Sequence, residues 1–303
     1  MRHFLLALLS LIILSACQHK QHSPVATTHQ QGHYFYDENN VRYTLVSTRG
    51  GKAINWIFIP GGPGFDSSGF RSLTDILDLP GNVWLIDLPG NGSHIVKKDD
   101  FDAWFKIFVQ AVKRFQNPVV VGASWGGMLT LSSPELENIL AGCVIMNSSP
   151  TLWFEAAFAR AKELNLPSFE KEMTEYFKNP NQEAFNAAVN ACMPYYFPPH
   201  SIERGRILVN NAPFAMKPAM WWQKKAAEMP YNATWVPQQV KTLIIGAEFD
   251  AMTPFVLFQK DARFKRDNIK MAFIKDAGHF PWVEQPKEVK RLFDRFTRSL
   301  VIE

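Results

Sequence analysis

A serine at the centre of a glycine-bounded turn carries the clearest chemical signal in the chain. Ser124 lies in the motif G-A-S-W-G-G at 122–127, after the apolar, β-branched run 118–121 and before 128–131, which can start a helix. Small residues two positions before and after the serine let the strand and helix pass closely beside a strained residue. The G-x-S-x-G pattern therefore predicts a nucleophile elbow, with the backbone N–H of Trp125 beside the serine hydroxyl.

An acid and a base follow in the order expected for such a nucleophile. Asp250 comes after the apolar strand predicted at 243–246, and His279 comes after the strand predicted at 269–274. A hydroxyl is a poor nucleophile at neutral pH, so His279 would take the proton of Ser124 while Asp250 holds the imidazole and stabilises its charged form. Each residue also has a simpler interpretation. Asp250 could cap a helix, and His279 could be an ordinary loop histidine.

Asp87 is the rival acid, because it also ends a predicted strand. It precedes the elbow in the chain, and we expect it to organise the turn at Pro89-Gly90 instead. The loop P-G-G-P-G-F at 60–65 follows another strand and has almost no side chains. Its backbone can approach a substrate closely, so we predict that the N–H groups of Gly62 and Trp125 bind a developing oxyanion. A simple glycine-proline turn is the alternative.

The elements that must position these residues alternate between strands and helices. Such alternation predicts a mostly parallel sheet flanked by helices, with the strand ends meeting in one crevice. The rhythm changes over 151–237, where helical segments are broken by prolines and no convincing strand is found. We therefore predict an α/β core at 33–150 and 238–303 and an inserted, mainly helical cap at 151–237.

From about His33 to its end, the chain resembles the α/β-hydrolases, and within them the proline iminopeptidase-type serine hydrolases. The matching residues are G-G-P-G at 61–64, the elbow at 122–127, the aspartate of G-A-E-F-D at 246–250 and G-H at 278–279. The resemblance implies the α/β-hydrolase fold, hydrolysis through an acyl-enzyme and no metal or organic cofactor. The chain departs from the subfamily at Pro60, where histidine is usual, and in the turn at 87–93, which lacks an arginine.

We expect the substrate to be a small or medium ester or amide, or a short peptide, with an apolar part. The first alternative is a prolyl-type aminopeptidase, in which a cap carboxylate would hold the free amine; the candidates are Glu155, Glu163 and Glu228. The second is a non-catalytic, membrane-tethered binding protein on a hydrolase scaffold. Cap aromatics either line an apolar pocket or pack the cap onto the core. These aromatics are Trp153, Phe154, Tyr195, Tyr196, Phe197, Trp221, Trp222 and Trp235.

The first residues of the chain are typical of an export signal. A short basic start, an apolar run at 4–14 and the sequence Leu-Ser-Ala before Cys17 resemble a bacterial lipoprotein signal, which implies cleavage after residue 16 and lipid on Cys17. An ordinary signal peptide is the alternative. Residues 17–32 are mostly polar and predict a flexible tether. We expect a lipid-anchored protein of the bacterial cell envelope, and Gln18 favours the outer membrane over the inner one.

Composition limits the remaining classes of function. The net charge of +4 includes no basic run interleaved with aromatics, so we do not expect nucleic acid as a partner. No cysteine or histidine spacing typical of a metal site is present. Cys143 and Cys192 lie in different regions, and two buried thiols are favoured over a disulfide.

Overall fold

A mixed, mostly parallel sheet forms the centre of the protein. The computed structural model describes residues 34–51, 53–96, 99–179 and 181–300. The sheet has eight strands in the order β1-β2-β4-β3-β5-β6-β7-β8. The strands are β1 (Tyr34–Tyr36), β2 (Arg42–Arg49), β3 (Asn55–Ile59), β4 (Gly81–Asp87), β5 (Pro118–Ala123), β6 (Gly142–Met146), β7 (Thr242–Ala247) and β8 (Ile269–Ile274). Only the pairs β1·β2 and β2·β4 are antiparallel. This arrangement confirms the predicted fold class.

The central strands are apolar along their whole length because helices cover both faces of the sheet. All six residues of β5 are buried. Val119 and Val121 belong to the hydrophobic cluster on one face, whereas Val120 belongs to the cluster on the other. This division follows from the two-residue period of a strand, and it explains why the strand sequences do not alternate with polar residues.

The helices fall into two groups, those that flank the sheet and those inserted between β6 and β7. The flanking helices are α1 (Arg71–Thr74), α2 (Trp104–Lys113), α3 (Trp125–Leu131), α9 (Val256–Lys260), α10 (Pro281–Glu284) and α11 (Pro286–Ser299). The buried face of α2 includes Trp104, Phe108 and Val112, which are inaccessible to solvent. The helix starts at Trp104, after a turn at 101–103 in which the Ala103 N–H donates to the carboxylate of Asp100.

The chain between β6 and β7 is helical, as predicted for the cap. It contains α4 (Phe154–Glu163), α5 (Glu170–Lys178), α6 (Gln182–Tyr196), α7 (Ile202–Asn211) and α8 (Met216–Glu228). Among the described residues of this segment, β-structure is limited to the isolated bridges Phe65↔Phe214 and Thr151↔Asn232. The cap aromatics join the same hydrophobic cluster as α2 and α3 of the core. The residue numbers at which core and cap divide stay a prediction.

Several sequence predictions concern residues that the structure does not describe. The signal at 1–16, Cys17 and the tether at 17–32 all lie outside the described residues. Among the described helices, none is both long and apolar enough to cross a bilayer. Cys143 and Cys192 are both buried and free, and burial raises the pKa of both thiols.

Candidate active site

Ser124 occupies the strained turn that the sequence predicts. It lies between β5 and α3 with φ 52° and ψ −122°, a conformation that residues with a side chain rarely adopt. A Cβ on Gly122 would lie 2.6 Å from the carbonyl oxygen of Gly126, and one on Gly126 would lie 2.4 Å from that of Ile59. The small residues on either side of the serine are therefore required by close backbone contacts, which confirms the steric argument from the sequence.

Asp250 and His279 form a buried pair beside this turn. The Nδ1 atom of His279 lies 3.0 Å from Oδ2 of Asp250, and the two residues are 5% and 1% exposed. Burial alone would raise the pKa of the Asp250 carboxyl, but the neighbouring His279 and several hydrogen bonds outweigh burial and lower it. Asp250 is therefore an ionised hydrogen-bond acceptor that fixes the imidazole orientation. The rest of its partners come from Met252, Thr253 and Asn147.

Asn147 is a member of this cluster that the sequence analysis did not identify. Its side-chain amide donates to Oδ2 of Asp250 at 3.0 Å and to the carbonyl of Gly278 at 3.3 Å. The residue is 1% exposed and has φ 43°, a conformation that asparagine tolerates better than most residues. It follows β6 directly, so the rule that places functional residues at strand ends could have found it.

The last turn of α6 is hydrogen-bonded to the two loops that carry Asp250 and His279. The Ala251 N–H donates to the carbonyl of Tyr195 at 3.1 Å, and the His279 N–H donates to the carbonyl of Tyr196 at 2.6 Å. The last carbonyls of a helix have no partner within it, so they are free to accept these bonds. The Tyr196 ring also packs edge-on against His279, with ring centroids 5.3 Å apart. The cap is thus hydrogen-bonded to the segments that carry the acid and the base.

Asp87 is not part of this cluster. It is buried and paired with Arg42 at 2.9 Å, and it accepts hydrogen bonds from the backbone and side chain of Ser67. Asp66, which lines the cavity above Ser124, binds Arg42 and both donors of Ser93. Asp87 therefore anchors the end of the glycine-rich loop, whereas the prediction assigned it to the Pro89-Gly90 turn.

Ser124 and His279 open into one apolar cavity between the core and the cap. The empty space amounts to about 940 Å³ with its open mouth included. Three of the eight cap aromatics, Trp153, Tyr196 and Trp222, line this cavity, and the others pack elsewhere. The indole N–H groups of Trp153 and Trp222 are buried and lack a hydrogen-bond partner among the described residues. Both interpretations of the cap aromatics therefore hold, each for a part of the set.

The glycine-rich loop forms the wall of the cavity next to the serine. Gly61 and Gly62 both line it, and a Cβ on Gly61 would lie 2.7 Å from Cβ of Ser124. Trp125 is the first residue of α3, so its backbone N–H has no acceptor within the helix. The two segments expected to supply oxyanion donors are therefore adjacent to Ser124. The assignment of the donors to Gly62 and Trp125 stays a prediction.

Charged groups are scarce around this cavity. Among the described residues that line it, Asp66 is the only carboxylate, and Glu155, Glu163 and Glu228 do not line it. Within the described part of the chain, no three His, Cys, Asp or Glu side chains are grouped so that they could hold a metal ion. The cavity can therefore bind an apolar group, and its polar side chains include those of Ser124, His279, Asp66 and Thr253.

Comparisons with known proteins support the fold and define the family. No match is found among curated proteins. A proline iminopeptidase-related protein from Thermus thermophilus has a similar structure, with a TM-score of 0.66 and 16% identity over 90% of this chain and 99% of that one. An esterase from Thermogutta terrifontis has a TM-score of 0.62 and 19% identity over 89% and 99% of the two chains. The pattern of the alpha/beta hydrolase family matches residues 56–292, so the chain belongs to that family.

Proposed function

We propose that this protein is a serine hydrolase of the carboxylesterase type. The observation that carries the proposal is the buried Asp250–His279 pair, whose histidine lines the same apolar cavity as a serine held at positive φ. An aspartate bound to the Nδ1 side of a histidine leaves the Nε2 side to exchange protons with a serine hydroxyl.

The proposed reaction proceeds in two steps. Oγ of Ser124 attacks the ester carbonyl carbon while His279 takes the hydroxyl proton, and the proton then passes to the departing alcohol, which leaves an acyl-enzyme. In the second step water attacks the acyl carbon while His279 takes one of its protons; the bond between that carbon and Oγ of Ser124 then breaks, the proton passes from His279 to Oγ, and the acid leaves. The N–H groups of Trp125 and Gly62 are proposed to bind the oxyanion, at about 3 kcal/mol per donor.

The lining of the cavity supports an ester with an apolar part over a substrate with a free amine. An aminopeptidase of the prolyl type needs a carboxylate that can bind the amine. Both oxygens of Asp66 are already bound, Oδ1 by Ser68 and Oδ2 by Ser93. The described lining therefore offers no carboxylate that is open to a cationic substrate.

A fluorophosphonate probe tests the proposal directly. We expect labelling of the wild type and loss of labelling in Ser124→Ala and His279→Ala. The matched control is His200→Ala, which removes a half-exposed histidine whose nearest carboxylate, on Asp276, lies 3.8 Å away. Turnover of p-nitrophenyl esters beside proline p-nitroanilide then separates esterase from aminopeptidase.

Each result of this experiment decides between the alternatives. An unlabelled wild type would refute the activated serine and leave the non-catalytic binding protein. Labelling with turnover of the prolyl anilide alone would favour the aminopeptidase.

We also propose that the mature protein is anchored in the bacterial cell envelope through lipid on Cys17. The signal-like sequence before this cysteine supports the proposal. Bacteria expressing the wild type should incorporate a clickable palmitate analogue into the protein, whereas Cys17→Ala should not, with Cys192→Ala as the control. Incorporation into Cys17→Ala would place the lipid elsewhere, and an unlabelled wild type would favour an ordinary signal peptide.

A further inference from the structure

A second cavity adjoins the one above Ser124. It is a groove lined by parts of α7, α10 and the segment Ser67–Phe70, with about 800 Å³ of empty space including its open side. The two cavities share four lining residues, which are Gly69, Leu208, Ala212 and Trp282. We call these four the shared wall. Because they line both spaces, the groove is adjacent to the cavity that holds the nucleophile.

The chemistry of the groove differs from that of the inner cavity. Its other lining residues combine a cation, polar groups and aliphatic contacts, namely Arg204, Ser68, Ser72, Asn211, Ile207 and Val283. No aspartate or glutamate is among the described residues that line it. The groove therefore has a positive charge at its surface, whereas the inner cavity is apolar.

Arg204 is available to bind an anion. Its Nη1 donates to the carbonyl of Val283 at 3.2 Å, and it forms no ion pair with a carboxylate of the described residues. Burial raises the pKa of the nearby Glu284 carboxyl, an effect that Arg204 opposes, and Glu284 accepts a hydrogen bond from Ser201 at 2.7 Å. The remaining donors of the guanidinium match the two oxygens of a carboxylate.

We infer that the groove is the outer part of the substrate site and that the substrate is an ester of an acid with a second, terminal carboxylate. The inference rests on the proposed esterase function. The acyl chain would cross the shared wall from Ser124, with its methylene groups against Leu208 and Trp282, and its terminal carboxylate would bind Arg204. Arg204 is thus a specificity-determining residue, and the inner cavity alone would accept short acyl groups.

Matched pairs of esters test the inference. Mono-p-nitrophenyl esters of dicarboxylic acids are compared with p-nitrophenyl alkanoates of equal length, from four to twelve carbons. At the chain length that reaches Arg204, we expect kcat/KM to be about tenfold higher for the carboxylate-ended ester, and Arg204→Gln should remove that preference. Arg206→Gln is the control, since Arg206 lies on the same helix, pairs with Glu203 and does not line the groove.

Gly69 offers an independent test of the path across the shared wall. A Cβ built on Gly69 meets no atom within 4 Å, so a side chain introduced by Gly69→Leu starts in open space at the wall. We expect the ratio of kcat/KM for long esters to that for p-nitrophenyl acetate to fall at least tenfold. Gly50→Leu is the control, because Gly50 is equally open but lies in the exposed turn after β2.

The outcomes separate the two proposals. A wild type that neither binds the fluorophosphonate nor hydrolyses the acetate refutes the esterase. Hydrolysis of the acetate with no preference for the carboxylate-ended ester at any length overturns the inference alone. The inference is also overturned if Arg204→Gln keeps the preference for the carboxylate-ended ester. The same holds if Gly69→Leu leaves unchanged the ratio of kcat/KM for long esters to that for p-nitrophenyl acetate.

Discussion

The side-chain amide of Asn147 donates to Oδ2 of Asp250, the same oxygen that lies 3.0 Å from Nδ1 of His279. The amide also binds the carbonyl of Gly278, the residue before the histidine. Asn147 therefore links the acid to the loop that carries the base, and in the proposed mechanism it is a positioning residue.

Asn147→Gly should lower kcat about 10- to 100-fold, because a hydrogen bond to a charged group contributes about 1.5–3 kcal/mol. Glycine adopts the positive φ of this position without strain, so the change removes the amide and leaves the backbone conformation accessible. The measurement is kcat and KM on p-nitrophenyl acetate, together with the melting temperature. Asn40→Gly, at an exposed residue with φ 57°, is the matched control. An unchanged kcat in Asn147→Gly would show that the bond has no positioning role.

Ser124→Gly should be more stable than Ser124→Ala, although both remove the hydroxyl. The φ of 52° and ψ of −122° strain any residue with a Cβ, and relief of such strain outweighs the conformational entropy of glycine by about 1 kcal/mol. Denaturant unfolding of the two variants measures the difference. Equal or reversed stabilities would mean that the turn holds little strain at this serine.

Gly278→Ala should destabilise the protein by about 3 kcal/mol and reduce the proposed esterase activity. A Cβ at Gly278 would lie 2.0 Å from the carbonyl oxygen of Tyr196, so the added methyl forces the backbones apart. The same shift would break the bond from the His279 N–H to that carbonyl. Urea denaturation and kcat are the measurements, and Gly50→Ala, where the new methyl meets nothing within 4 Å, is the control. A stable and active Gly278→Ala would contradict the contact.

The stability of Asp87→Asn relative to the wild type should rise with pH. The pKa of the Asp87 carboxyl is raised to about 6, because burial, opposed by Arg42 but aided by the nearby Asp66, has the largest effect. Because the folded pKa is above the unfolded one, the wild-type contribution is complete below about pH 4 and is lost as the pH passes 6. Asparagine does not titrate. Between pH 4 and pH 7, the free energy of unfolding of the variant should therefore rise by up to about 3 kcal/mol relative to that of the wild type.

Chemical denaturation at a series of pH values measures this difference. If the wild type instead becomes more stable relative to the variant as the pH rises, the ion pair with Arg42 has a larger effect on the pKa of Asp87 than burial has.

The sequence was sufficient to predict the fold and the positions of Ser124, Asp250 and His279. Each of these residues follows a strand whose apolar run is local in sequence, and the strand-end rule then places them together without any knowledge of packing. The elbow was equally predictable because its motif is local in sequence, although the space around Gly126 is limited by the carbonyl of Ile59, which is distant along the chain.

The contacts that the sequence did not reveal join segments that are distant along the chain. The bond from Asn147 to Asp250 spans 103 residues, and the pairing of Arg42 with Asp87 spans 45. Both depend on how loops from separate strands pack, which no local pattern encodes. For the same reason, Asp87 was predicted to organise the neighbouring turn, although it binds Ser67. No local pattern in the sequence points to Arg204 either, because its role depends on the groove that it lines.

The carbonyls of Tyr195 and Tyr196, which bind Ala251 and His279, limit how far the inserted helices can be exchanged as a module. A chimera that replaces 151–237 as a block would discard the acceptors that hold the segments of Asp250 and His279. A graft that replaces only the part of the insertion before the last turn of α6 would keep those acceptors. It would still exchange the segment that includes Trp153. In this protein, recombination of the cap therefore has a natural boundary inside a helix and not at the junctions with the sheet.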